Sequence, residues 1–148
     1  MNVGGIESQG LELSASYQLT DTWEIYASYT MNDSEYVGNA PGFEKGQTVI
    51  DSVEDMWVLS TNYFAGNLRF GASAKYTGER GDAEDYIITD LNLGYHLEFE
   101  GNGINSVDIA FVVNNLLDED YLSTGTGSGA TYFIGAPRTS TLTFSVNF

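Results

Sequence analysis

From Leu11 to Leu19 every odd position is apolar (Leu11, Leu13, Ala15, Tyr17, Leu19), while Glu12, Ser14, Ser16 and Gln18 fill the even ones. Successive side chains of an extended chain point to opposite faces, so this alternation predicts a strand with one apolar face. After the short turn "LTDTW" the pattern resumes, with Trp23, Ile25, Ala27, Tyr29 and Met31 set against Glu24, Tyr26, Ser28 and Thr30. A polar stretch over 32–55 is expected to be a long connection. Beyond it Trp57, Leu59, Thr61 and Tyr63 alternate with Val58, Ser60 and Asn62, and "AGN" at 65–67 predicts a tight hairpin turn.

Leu68, Phe70, Ala72, Ala74 and Tyr76 form the apolar face of a fourth strand, opposite Arg69, Gly71, Ser73 and Lys75. After the acidic loop "GERGDAED", a fifth strand sets Ile87, Thr89, Leu91, Leu93, Tyr95 and Leu97 against Asp90, Asn92, Gly94 and His96. A sixth sets Val107, Ile109, Phe111 and Val113 against Asp108, Ala110, Val112 and Asn114. The seventh is "RTSTLTFSVNF", with Leu142, Phe144, Val146 and Phe148 on one face. Seven antiparallel strands of about ten residues and no helix define an all-β chain.

Period two alone does not say where the apolar face points. In a soluble barrel or sandwich it points inward; in an outer-membrane barrel it points out to lipid and the polar face lines the lumen. The polar face here is mostly Ser, Thr, Asn, Gly and Gln rather than Lys and Glu, as expected of a hydrated lumen. The large aromatics also gather toward strand ends, Tyr17, Trp23, Tyr63, Phe70 and Tyr95 at one edge and Tyr29, Trp57 and Tyr76 at the other. Amphipathic rings favour the two headgroup zones of a bilayer. Short connections ("TD", "AGN", "EFEGNGINS") alternate with long ones (32–55, 78–85, 117–131), the asymmetry of outer-membrane barrels with short periplasmic turns and long outer loops.

Charge and composition narrow the chemistry. The chain has 21 Asp and Glu against five Lys and Arg, a net charge of -16. That excludes nucleic acid and anionic membrane surfaces, which need clustered cations, as partners. There is no cysteine and one histidine, so disulfides, thiolate metal sites and ordinary Ser/His/Asp catalysis are excluded, and His96 reads as structural. Glu12 and Glu24 share the polar parity of adjacent strands but lack a nucleophile beside them, and read as lumen-facing groups rather than an acid/base pair. Glu79, Asp82, Glu84 and Asp85 could offer oxygens to calcium, but their spacing is not that of an EF-hand and a solvated acidic rim is the expectation. Neither catalysis, nor a metal, nor a cofactor is expected.

"GLEL" after "NVGG", "NNLLDEDYL" at 114–122, "YFIGAPRT" at 132–139 and the final alternation together resemble the C-terminal part of TonB-dependent outer-membrane receptors, over essentially the whole chain. The resemblance implies a barrel of about 22 strands closed around a plug. It further implies uptake of a ferric siderophore, another iron chelate, or a comparably scarce ligand such as vitamin B12 or a sugar, energised through TonB. Residues 1–148 are accordingly expected to be a fragment, about seven strands of that wall with the plug domain absent, in the outer membrane of a Gram-negative bacterium. A stand-alone small barrel with an adhesive or structural role, and a soluble ligand-binding barrel, are the alternatives.

The same resemblance implies ligand capture by outer loops and lumen walls. Strand direction brings Lys75, Arg80 and Arg138 near the outer mouth with Tyr86 close by, and these four are the candidates for contact with an anionic chelate. Their structural alternatives are that Arg138 anchors the last loop and that Arg80 offsets nearby carboxylates. Asp118, Glu119 and Asp120 are expected to serve a strand end. Phe148, an aromatic on the lipid side of the last strand, resembles the signal read by the outer-membrane assembly machinery.

Overall fold

The computed structural model describes residues 5–38, 42–101, 103–125 and 131–148. Most of "NVGG" and parts of the connections 32–55, 99–105 and 117–131 lie outside the described residues. The strands are β1 (Ile6–Thr20), β2 (Trp23–Tyr36), β3 (Asp55–Ala65), β4 (Leu68–Thr77), β5 (Tyr86–Glu98), β6 (Ser106–Asn114), β7 (Leu122–Gly125), β8 (Tyr132–Ile134) and β9 (Thr139–Asn147). Seven of them make one antiparallel sheet in the order β1-β2-β3-β4-β5-β6-β9, and β7 pairs with β8 in a separate two-stranded ribbon.

The register turns the alternation of single strands into rows across the sheet. Trp23, Tyr63, Phe70, Leu93, Phe111 and Leu142 stand opposite one another from β2 to β9. Leu13, Tyr29, Trp57, Tyr76 and Ile87 make a second row. Trp57 and Tyr76 stack with centroids 5.7 Å apart, and Trp23 meets Tyr63 edge-on at 6.3 Å. The two rows lie six residues apart on β2 and β3, about 20 Å at about 3.3 Å per residue. Tyr17 falls one step inside the Trp23 row and Tyr95 one step outside it, since they pair with Ile25 and Leu68.

Nothing among the described residues covers this apolar face. Leu13, Tyr17, Leu59, Leu142 and Phe144 are 52–65% exposed, and among the described residues the buried apolar side chains are only Tyr36 on β2, Ala83 in the 78–85 loop and Val113 on β6. A soluble domain would place such a face in its core.

Two boundaries differ from the periodicity. β1 starts at Ile6 rather than near Leu11, and β2 runs to Tyr36, five residues into the stretch expected to be a connection. Alternation is required only where one face meets an apolar phase. Beyond that level the two strands continue as a polar ribbon, where Ser8 Oγ donates to Asn32 Oδ1 at 2.8 Å and Ser34 Oγ donates to Ser8 Oγ at 2.8 Å. The chain then folds back along β2: Val49 N donates to Ser34 O at 2.9 Å, and Asn32 N to Glu54 O at 2.7 Å. The 117–131 connection likewise carries β7, which leads on to β8.

Candidate functional site

The long connections all emerge at one end of the sheet and meet there. Their framework begins where β6 stops. Asn115 adopts φ 51° and is almost fully buried, and its backbone N donates to Asp90 Oδ1 at 2.9 Å. Its side-chain amide donates to Glu119 O at 2.9 Å and Ala136 O at 3.0 Å, while its Oδ1 accepts from Glu119 N at 2.9 Å. Asp118 turns back at φ 58° and accepts from Arg138 N at 2.8 Å, and the Arg138 guanidinium lies 3.6 Å from its other oxygen. The segments "NNLLDEDY" and "GAPRT" therefore grip each other, which is a physical reason for their joint occurrence. Gly135 belongs to the same knot: a Cβ there would run into the Tyr121 ring.

Beside this knot the 78–85 loop packs on the β7–β8 ribbon. Arg80 is 8% exposed, and its Nε stands 3.2 Å from Asp51 Oδ1 while its guanidinium also donates to Leu122 O. The guanidinium carbon lies 5.8 Å over the Tyr86 ring, a cation–π distance, and Tyr86 in turn packs on Tyr121 at 4.4 Å. Tyr132 OH donates to Arg80 O at 3.2 Å and accepts from Asp82 N at 3.3 Å. Between the 78–85 loop and the 119–122 segment lies an open cleft of about 510 Å³, lined by Asp82, Glu84, Asp85, Glu119, Asp120 and Tyr121 among others.

The sequence-predicted residues thus part company. Arg80 and Tyr86 come together, with Arg80 occluded and Tyr86 half-buried. Arg138 sits in the knot, half exposed, its guanidinium also donating to Leu116 O at 3.4 Å. Lys75 stands exposed on the polar face of β4 opposite Val58 and Ile88, away from the knot. Phe148 follows β9 and is 83% exposed, one step beyond Val146 on the apolar row. Among the described residues no cluster of acidic and histidine side chains has the form of a metal site. Glu12 and Glu24 lie on different rows, opposite Thr30 and Gln18.

A second polar cluster lies on the polar face toward the short-turn end. Asp108 Oδ1 receives His96 Nδ1 at 2.8 Å and Arg69 Nη2 at 3.2 Å, and His96 Nε2 is 3.6 Å from Glu98. Alternation marks each residue as polar-facing, but their meeting depends on the register that sets His96 opposite Asp108.

An open, seven-stranded antiparallel sheet with an uncovered apolar face, two aromatic rows and long loops at one end is the wall of a transmembrane β-barrel. Residues 1–116 match the family model for the TonB-dependent receptor-like β-barrel, and the chain belongs to that family. It is 26% identical to the catecholate siderophore receptor Fiu of Escherichia coli K12 over 153 residues, covering 95% of this chain and 19% of that receptor. It is 30% identical to the ferrioxamine B receptor of Salmonella typhimurium LT2 over 150 residues, covering 93% of this chain and 21% of that receptor. The crystal structure of the siderophore receptor PiuA from Acinetobacter baumannii superimposes with a TM-score of 0.76 at 25% identity, over 97% of this chain and 22% of that one. The chain thus spans about a fifth of the length of these curated relatives. Members of the family are transporters of the outer membrane, and the chain is an outer-membrane protein.

Proposed function

We propose that this chain forms part of the wall of an outer-membrane receptor that imports a ferric siderophore or a similar iron chelate, driven through TonB, and that its role is transport rather than catalysis. Residues 1–148 are read as a C-terminal portion of the barrel domain, with the plug domain supplied by another part of the receptor. The observation that carries the reading is the division of labour along each strand. An apolar band between aromatic rows meets lipid, and the loops beyond it are built into a polar assembly with a cleft.

The long-loop end faces the outside in this reading. Lys75 on the lumen wall and Tyr86 and Arg138 at the mouth are then the groups placed to meet an incoming chelate. The five carboxylates around the cleft repel a strongly anionic ferric catecholate and tolerate a neutral or cationic ferric hydroxamate such as ferrioxamine B. Phe148, carrying the apolar row one step past β9, is the group offered to the assembly machinery.

The experiment is radiolabelled iron uptake in cells whose only siderophore receptor is the full-length protein. Ferrioxamine B and a ferric catecholate are supplied separately, with and without TonB. TonB-dependent uptake of either supports the reading, and the stronger signal names the ligand class. Uptake of neither, with the receptor folded in the outer membrane, contradicts it.

A further inference from the structure

Three connections remote in sequence meet at one buried charge pair. Arg80 comes from the 78–85 loop, Asp51 from the 37–54 connection, and Leu122, Thr124 and Gly125 from β7. Asp51 meets both neighbours: Oδ1 lies 3.2 Å from Arg80 Nε as an ion pair, and Oδ2 accepts hydrogen bonds from Gly125 N at 2.8 Å and Thr124 Oγ1 at 3.1 Å. Its backbone sits at φ 65°, a left-handed conformation that Asp adopts more readily than most non-glycine residues. The side chains of Arg80 and Asp51 are 8% and 18% exposed, a degree of burial that an unpaired charge does not sustain.

We propose that Arg80 is a positioning residue: paired with Asp51, it clamps the three connections into one body and fixes the width of the acidic cleft, without itself reaching the ligand. The cleft has one wall from the 78–85 loop and the other from the 119–122 segment. Arg80 bridges them, donating to Leu122 O on one side while its own carbonyl accepts from Tyr132 OH on β8. The guanidinium meets Asp51, Leu122 O and the Tyr86 ring from a position where its side chain is only 8% exposed. A lysine would keep the charge and lose the fork that serves partners in different directions.

The proposal rests on the uptake reading only for what the cleft receives, so the test has one arm without ligand. In the full-length receptor, Asp51→Asn, Arg80→Gln and Arg80→Lys are compared with wild type for amide exchange in the 119–125 segment, at matched amounts of folded barrel. Exchange about tenfold or more faster in the first two variants, with Arg80→Lys intermediate, is expected when a clamp of this kind opens. The second arm measures affinity for ferrioxamine B or the ferric catecholate, whichever wild type takes up.

A clamp predicts that Asp51→Asn and Arg80→Gln both weaken binding, by about tenfold, because either change leaves one buried charge unpaired. A direct ligand contact at Arg80 predicts the opposite for Asp51→Asn, which frees the guanidinium and leaves binding intact or tighter. Unchanged exchange in Arg80→Gln, or retained affinity in Asp51→Asn beside its loss in Arg80→Gln, overturns the proposal. If wild type binds neither chelate, the uptake reading fails and exchange alone decides the clamp.

Discussion

The wall between the aromatic rows and the loop assembly beyond it are built on opposite principles, although the same strands run through both. In the wall a residue's role follows from its parity: Leu59 meets lipid and Ser60, its neighbour, faces the lumen. In the loop assembly parity means nothing, and a role is set by single polar contacts between positions up to 74 residues apart, as for Asp51 with Gly125. A wall of this kind tolerates exchanges within each face but not across faces. The loops tolerate changes of exposed side chains but not of the few buried polar groups.

The largest expected effect breaks the wall across its faces. Leu59→Arg places a cation in the apolar band at a cost of about 2–4 kcal/mol. It should sharply reduce the heat-modifiable, folded receptor in outer-membrane fractions. Ser60→Arg, one position on, should assemble to near wild-type levels. Equal loss in both would erase the distinction between the faces.

Next is the knot. Asn115→Ala removes two donated bonds and one accepted bond at a buried site, where an unsatisfied group costs about 1–3 kcal/mol. Limited proteolysis should cut the 116–138 region faster while the folded amount of barrel stays unchanged. Faster cutting together with loss of the folded barrel would mean that the loops and the wall are not separate units. A smaller change is expected from Trp57→Leu, which loses a ring stack worth about 0.5–1.5 kcal/mol but keeps an apolar residue in its row. Chemical denaturation from lipid vesicles should register it as a modest shift in midpoint.

The smallest effect is predicted for Arg69→Gln. Its side chain is 55% exposed, and Asp108 keeps His96 as a partner, so stability should match wild type within error. A clear loss would promote the short-turn cluster from a solvated contact to part of the framework.

The same contrast explains what could be read from the sequence. The seven strands of the main sheet, the "AGN" hairpin turn with Gly66 at φ 57°, and the apolar face were legible because each is a local pattern of period two. The extension of β2 to Tyr36 was not, because Asn32, Ser34 and Tyr36 pair above the level where alternation is enforced. Strand direction places the four candidate contacts at the right end of the sheet but not at a given depth. Direction alone could not separate occluded Arg80 from exposed Lys75. Asn115 stands in the sequence only as one letter of a motif, and its place between β5, the turn after β6 and the stretch before β9 depends on contacts with Asp90, Glu119 and Ala136 that no window of sequence displays.

In the proposed topology these strands are a membrane wall with the acidic loop assembly outside. The lack of cysteine in the chain makes one measurement decisive. In the full-length receptor with any other cysteines replaced, Glu84→Cys, Glu119→Cys, Asn67→Cys and Glu100→Cys are exposed singly to a membrane-impermeant thiol reagent on intact cells. Labelling is expected at 84 and 119 on intact cells, and at 67 and 100 only after the outer membrane is opened. Labelling at 67 and 100 on intact cells, with 84 and 119 protected until the membrane is opened, would contradict that topology.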